Sequence, residues 1–192
     1  FFPGLGATKE DLVPVYEHIL KTTPQSQSLG ALCVQAPIQS CKLLGGAQAP
    51  CWFDANSLEN LLSNQWQGLD ECIQALISLI KEVRRLYPHI EELSFIGFSQ
   101  GGAVCQRLAE KVSCRCVILL STFAVSPLGK LQTSKVLVCH GYLDNIVYIV
   151  HGRSLCQTIR KQEPHLPVDY REYPYLDHSI CEEELNDISH FL

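Results

Sequence analysis

Cys116-Val117-Ile118-Leu119-Leu120 sets five apolar residues in a row. A strand with one face in water would alternate apolar and polar residues. An unbroken run suits a strand covered on both faces, which calls for a largely parallel sheet between two layers of helix. The rest of the chain fits that plan. Residues 31–35, 93–97, 135–140 and 168–173 read as further strands, and Phe1-Phe2 as the stub of another. Leu69, Ile73, Leu76, Ile77, Ile80 and Val83 recur at three- and four-residue steps, giving one apolar helix face that Pro88 ends. Helical patterns also cover 100–112, 147–161 and 182–192, with a shorter one after Lys9. Residues 37–50, polar and small with Gly45-Gly46, read as a long loop, and long loops are often functional.

The 192 residues suit a single domain over 1–192. The sequence holds no Met and opens on what reads as a strand end, so the N-terminal strand is expected to be incomplete. Net charge is -5 with both signs mixed along the chain. No basic stripe is present, which argues against nucleic acid as a partner. No apolar run approaches the roughly 20 residues of a membrane span. The ten cysteines form no C-x-x-C pair of the kind that marks structural zinc or a redox site. Several sit in apolar patterns, where a free thiol acts as a small hydrophobe, so reduced thiols and a cytoplasmic location are expected.

Gly97-Phe98-Ser99-Gln100-Gly101 fits G-x-S-x-G, and it lies between a strand and a helix. That turn exposes a serine at the sheet's C-terminal edge, and its glycines leave room for the bend. The helix N-terminus aims N–H groups at the reacting centre, with the Gln100 N–H a natural oxyanion donor. A serine needs a base, and the base an acid. Asp144 follows strand 135–140 and His178 follows strand 168–173, so both lie at strand C-terminal ends in the order Ser, acid, His. Of seven histidines, His18, His89, His151 and His190 fall on helical or helix-end positions and His165 in a Pro-flanked connection. His140 ends a strand and reads as buried and structural. Asp177 is a rival acid, but a sequence neighbour rarely points at the adjacent ring, which favours Asp144.

These blocks, in order, resemble the acyl-protein thioesterase / carboxylesterase / lysophospholipase family over nearly the whole chain. Gly97 to Ala103 is similar to its nucleophile block. Ala36-Pro37, Gly45-Gly46 and Pro50-Cys51-Trp52-Phe53-Asp54 are similar to its substrate-side loop. His140-Gly141 with Asp144 and Val147 resembles its acid loop, and Leu176-Asp177-His178-Ser179 with Glu184-Leu185 and Ile188 its terminal segment. The chain departs at the opening block, where the family has H-G-x-G-D and this sequence has Pro3-Gly4-Leu5-Gly6-Ala7. Tyr142 stands where the family often has Asp.

The resemblance implies an α/β-hydrolase fold and a serine esterase or thioesterase working through an acyl-enzyme, without cofactor or metal. It assigns the second oxyanion donor to the Leu5 N–H. It implies an acyl ester or thioester substrate, such as an acylated protein or a lysophospholipid, with its chain in an apolar groove; Leu43, Leu44 and Phe123 are the expected lining. Trp52 is expected in the core. The competing expectation is a non-catalytic binding protein on the same fold, which the altered opening block suggests and the intact Ser99, Asp144 and His178 oppose.

Overall fold

The computed structural model describes residues 1–23 and 29–192. Its centre is a parallel four-stranded sheet in the order β3 (Ser94–Phe98), β4 (Cys114–Leu120), β5 (Thr133–Gly141) and β6 (Val168–Tyr173). Phe2 bridges in parallel to Gly97 outside β3 and trades backbone hydrogen bonds with Ile96 and Phe98. Side chains of one strand feed two cores by turns. Val117 and Leu119 join one cluster, while Cys116, Ile118 and Leu120 join the other. Hence the continuous apolar run: neither face of β4 meets water from Cys116 to Leu120. Each fully buried Ile or Leu there is worth about 1.5–3 kcal/mol against exposure.

Helices fill both faces. Leu76 of α3 (Leu69–Leu86), Leu108 of α4 (Gln100–Ala109) and Leu155 of α5 (Ile149–Gln162) pack in the first cluster. Val15 and Ile19 of α1 (Val13–Thr22) and Ile188 of α6 (Glu182–Phe191) pack in the second. Helix α3 ends two residues before Pro88, where that ring would remove a hydrogen bond and clash with the preceding turn. No helix among the described residues is long and apolar enough to cross a membrane. All ten cysteines are free thiols, most of them buried.

Two sequence expectations are corrected. Residues 31–35 form no strand: the Phe1 amine donates to Leu32 O and the Val34 N–H to Phe1 O, and two bonds do not make a ladder. The expected loop over 37–50 is instead an antiparallel hairpin, β1 (Ile38–Cys41) with β2 (Ala47–Pro50). A short 3-10 turn, Lys42–Leu44, joins the strands, and Gly45 and Gly46 reverse the chain at φ 66° and 86°. Backbone pairing makes this hairpin with little apolar alternation to announce it. The short helix α2 (Leu58–Leu62) follows the hairpin.

Candidate active site

Ser99 sits between β3 and α4 at φ 52° and ψ −117°, a left-handed backbone that costs a non-glycine residue about 1–3 kcal/mol. The surroundings hold it there. Its N–H donates to Leu120 O at 2.8 Å, and Thr122 Oγ1 donates to its carbonyl at 2.7 Å. The elbow is also crowded. A Cβ at Gly97 would strike the Gly101 carbonyl, and one at Gly101 would strike Phe2 O, so only glycine lets helix, strand and opening segment meet.

Ser99 Oγ lies 3.1 Å from His178 Nε2, and His178 Nδ1 lies 2.7 Å from Asp144 Oδ2. With Nδ1 protonated and donating to the carboxylate, Nε2 is free to accept the serine proton. Asp144 is buried at the end of the turn after β5. Its Oδ1 accepts from the Ile146 and Val147 N–H groups at 2.9 and 2.8 Å. Burial alone would raise its pKa. The nearby His140 ring, the hydrogen bond from His178 and the Ile146 N–H outweigh that and hold the carboxyl well below the usual carboxylate range. Asp144 is therefore an anion at neutral pH. Asp177 is turned elsewhere, accepting from Ser179 Oγ at 2.5 Å.

His140 is fully buried, as the sequence suggested, and it is also part of the acid's surroundings. Its Nε2 lies 2.7 Å from Val147 O and 3.4 Å from Asp144 Oδ2. The i, i+4 spacing of His140 and Asp144 across a turn was the available signal.

A second unforeseen group is the Gln100 side chain. It is buried, its Oε1 accepts from the Trp52 N–H at 2.8 Å, and its Nε2 donates to Phe53 O at 2.7 Å. Trp52 lies in the core, as expected, and its Nε1–H donates to Pro3 O at 2.8 Å. One chain of contacts thus runs from the helix beside Ser99, through the Trp52-Phe53 segment, to the loop that carries Leu5. The Leu5 N–H has no acceptor among the described residues, and Gln100, first in its helix, has no intrahelical acceptor for its own.

The three expected groove residues differ in exposure. Leu43 is half-buried against the core, and Leu44 is exposed at 44%, within reach of Gly6 in the opening loop. Phe123 is 1% exposed and packs on Trp66 with ring centroids 6.0 Å apart. It is a core residue, because the chain turns inward after β4. Within the hairpin region Cys41, Cys51 and Asp54 cluster with their ligand atoms inside 4.8 Å, but Asp54 already accepts from the Lys42 and Ala55 N–H groups.

A family model described as Phospholipase/Carboxylesterase matches residues 1–192. Acyl-protein thioesterase 1 of Mycosarcoma maydis is 28% identical over 212 aligned residues, covering 100% of this chain and 88% of that protein. Acyl-protein thioesterase 1 of Yarrowia lipolytica is 28% identical over 168 residues, covering 82% and 74%. The crystal structure of Arabidopsis thaliana SOBER1 superposes with a TM-score of 0.82 at 19% identity, covering 99% of this chain and 94% of that one. Zea mays acyl-protein thioesterase 2 superposes with a TM-score of 0.73 at 22% identity, covering 99% and 89%.

Proposed function

The chain belongs to the phospholipase/carboxylesterase family of α/β-hydrolases, and from that premise we propose that it cleaves carboxylic esters or thioesters with Ser99 as nucleophile, His178 as base and Asp144 as supporting acid. The reading rests on one observation, the hydrogen-bonded line from Ser99 Oγ through His178 to a buried, ionised Asp144.

As Ser99 Oγ attacks the acyl carbon, its proton passes to His178 Nε2, and the imidazolium that forms is stabilised by Asp144. The carbonyl oxygen gains negative charge and takes hydrogen bonds from the Leu5 and Gln100 N–H groups. The dipole of α4 favours charge at that point. When the tetrahedral intermediate collapses, the bond to the leaving oxygen or sulfur breaks and His178 returns the proton to that atom. Water, deprotonated by His178, then releases the acid from Ser99. Every step uses groups of this chain and needs no cofactor. The substrate is an acylated protein, as the names of the thioesterase relatives suggest, or another carboxylic ester of the kind the family's description names.

The test is hydrolysis of a p-nitrophenyl ester by purified protein and by Ser99→Ala. The variant should keep its fold by circular dichroism and lose nearly all turnover. Full turnover in pure Ser99→Ala would overturn the assignment.

A further inference from the structure

A cavity of about 550 Å³ opens beside His178, between the opening loop, α1 and α6. Its walls are apolar: Pro3, Ala7, Leu12, Val15, Phe98 and Leu185. Several of its polar wall groups already have partners. The Asp11 carboxylate accepts from the Thr8 N–H and Oγ1, His18 Nε2 pairs with Asn186 Oδ1, and Ser179 Oγ donates to Asp177. With mostly apolar walls, the cavity suits an apolar chain that displaces water from those walls. Two of the walls, Pro3 and Ala7, are the positions at which the opening block lacks the longer polar side chains of the pattern it resembles. Small side chains there leave the space unfilled. None of Leu43, Leu44 and Phe123 lines it.

We propose that this cavity holds the apolar substituent on the leaving oxygen or sulfur of the substrate, so that the enzyme selects esters of hydrophobic alcohols or thiols. The inference rests on the proposed function. The side follows from the proton's route: His178 Nε2 protonates the leaving atom, so that atom must lie against the His178 ring. That ring is also a wall of the cavity, and Phe98 packs against it at a tilt of 49° with centroids 4.8 Å apart. A chain continuing from the leaving atom past the ring enters the cavity, while the acyl carbon stays on Ser99. The volume lies in the range of small-molecule sites.

The test uses acetate esters of ethanol, butanol, hexanol and octanol. They share one acyl-enzyme, and their alcohols leave with nearly equal ease. kcat/KM therefore reports how the leaving side is bound. It should rise by roughly threefold to fourfold for each added methylene until the cavity is filled. Ala7→Phe, which fills the cavity, and Ala7→Asp, which puts a charge in it, should flatten that slope; unchanged melting temperature and continued labelling of Ser99 by a fluorophosphonate establish that both variants are folded. A second series varies acyl length on a fixed p-nitrophenol leaving group, and its slope should not change in Ala7→Phe. A flat alcohol series in an active enzyme would overturn this inference alone. So would an acyl series that is steep and flattened by Ala7→Phe, which would put the acyl chain in the cavity. No hydrolysis of any ester, with Ser99 unlabelled, would overturn the proposed function and this inference with it.

Discussion

Gln100→Ala removes a buried side chain that satisfies two backbone groups 48 and 47 residues away in sequence, the Trp52 N–H and the Phe53 carbonyl. Each group left buried without a partner costs about 1–3 kcal/mol, so the variant should lose about 2–6 kcal/mol of unfolding free energy. Gln100→Leu keeps most of the volume and should lose nearly as much, which separates unpaired polar groups from an empty space. The backbone N–H at position 100 survives both changes. The loop carrying Leu5 is held through Trp52 Nε1–H and Pro3 O, so its donor should loosen rather than vanish. Outright loss of one oxyanion donor costs about 10²–10³ in kcat, and a loosened one should cost about tenfold. Urea unfolding followed by fluorescence gives the stability, and kcat is measured on the same preparation well below the transition. A stability loss under about 0.5 kcal/mol for both variants would refute the assignment of these bonds as structural. Full stability loss with unchanged kcat would refute the coupling between the clamp and the oxyanion loop.

Asp144→Asn should lower kcat by up to roughly 10⁴, because the ring loses the charge that orients it. Asp177→Asn should cost far less, since that carboxylate faces Ser179; steady-state rates in which Asp177 is the costlier site would name the wrong acid. Glu184 of α6 is buried, and burial pushes its carboxyl up to about 8. The folded chain then holds a proton that the unfolded chain releases near 4.5, so this residue's contribution to stability falls as pH rises from about 4.5 through about 8. Glu184→Gln should therefore gain melting temperature over the parent at about pH 9 and little at about pH 4.5; an equal difference at both would refute it.

Much of this architecture can be read directly from the chain. Strands such as Val168–Tyr173 stand where pattern alone puts them, because a residue covered by helix on either side must be apolar and a residue at the edge need not be. Ser99, Asp144 and His178 are legible for a different reason: the proposed triad chemistry fixes both their order and their places at strand ends. What escaped depends on pairing across distance. The β1–β2 hairpin is made of residues such as Gln39, Ser40 and Gln48, whose side chains say nothing about strand, and only the backbone register joins them. Segment 31–35 has strand-like residues but only a brief hold on Phe1. Phe123, expected in the groove, is buried beside Trp66; nothing in the local pattern shows that the chain turns inward there. The cavity by His178 leaves no mark in the sequence pattern, because its walls come from the opening loop, Phe98, α1 and α6, and only the fold brings those segments together.

The central claim is that Ser99 is made nucleophilic by His178 and Asp144, and active-site labelling tests it most directly. Folded protein is treated with a fluorophosphonate, digested, and read by mass spectrometry. The account predicts one adduct per chain, on the peptide carrying Ser99, absent in Ser99→Ala and strongly slowed in His178→Ala. Folded protein that takes up no label, or labels with Ser99 unmodified, would contradict it.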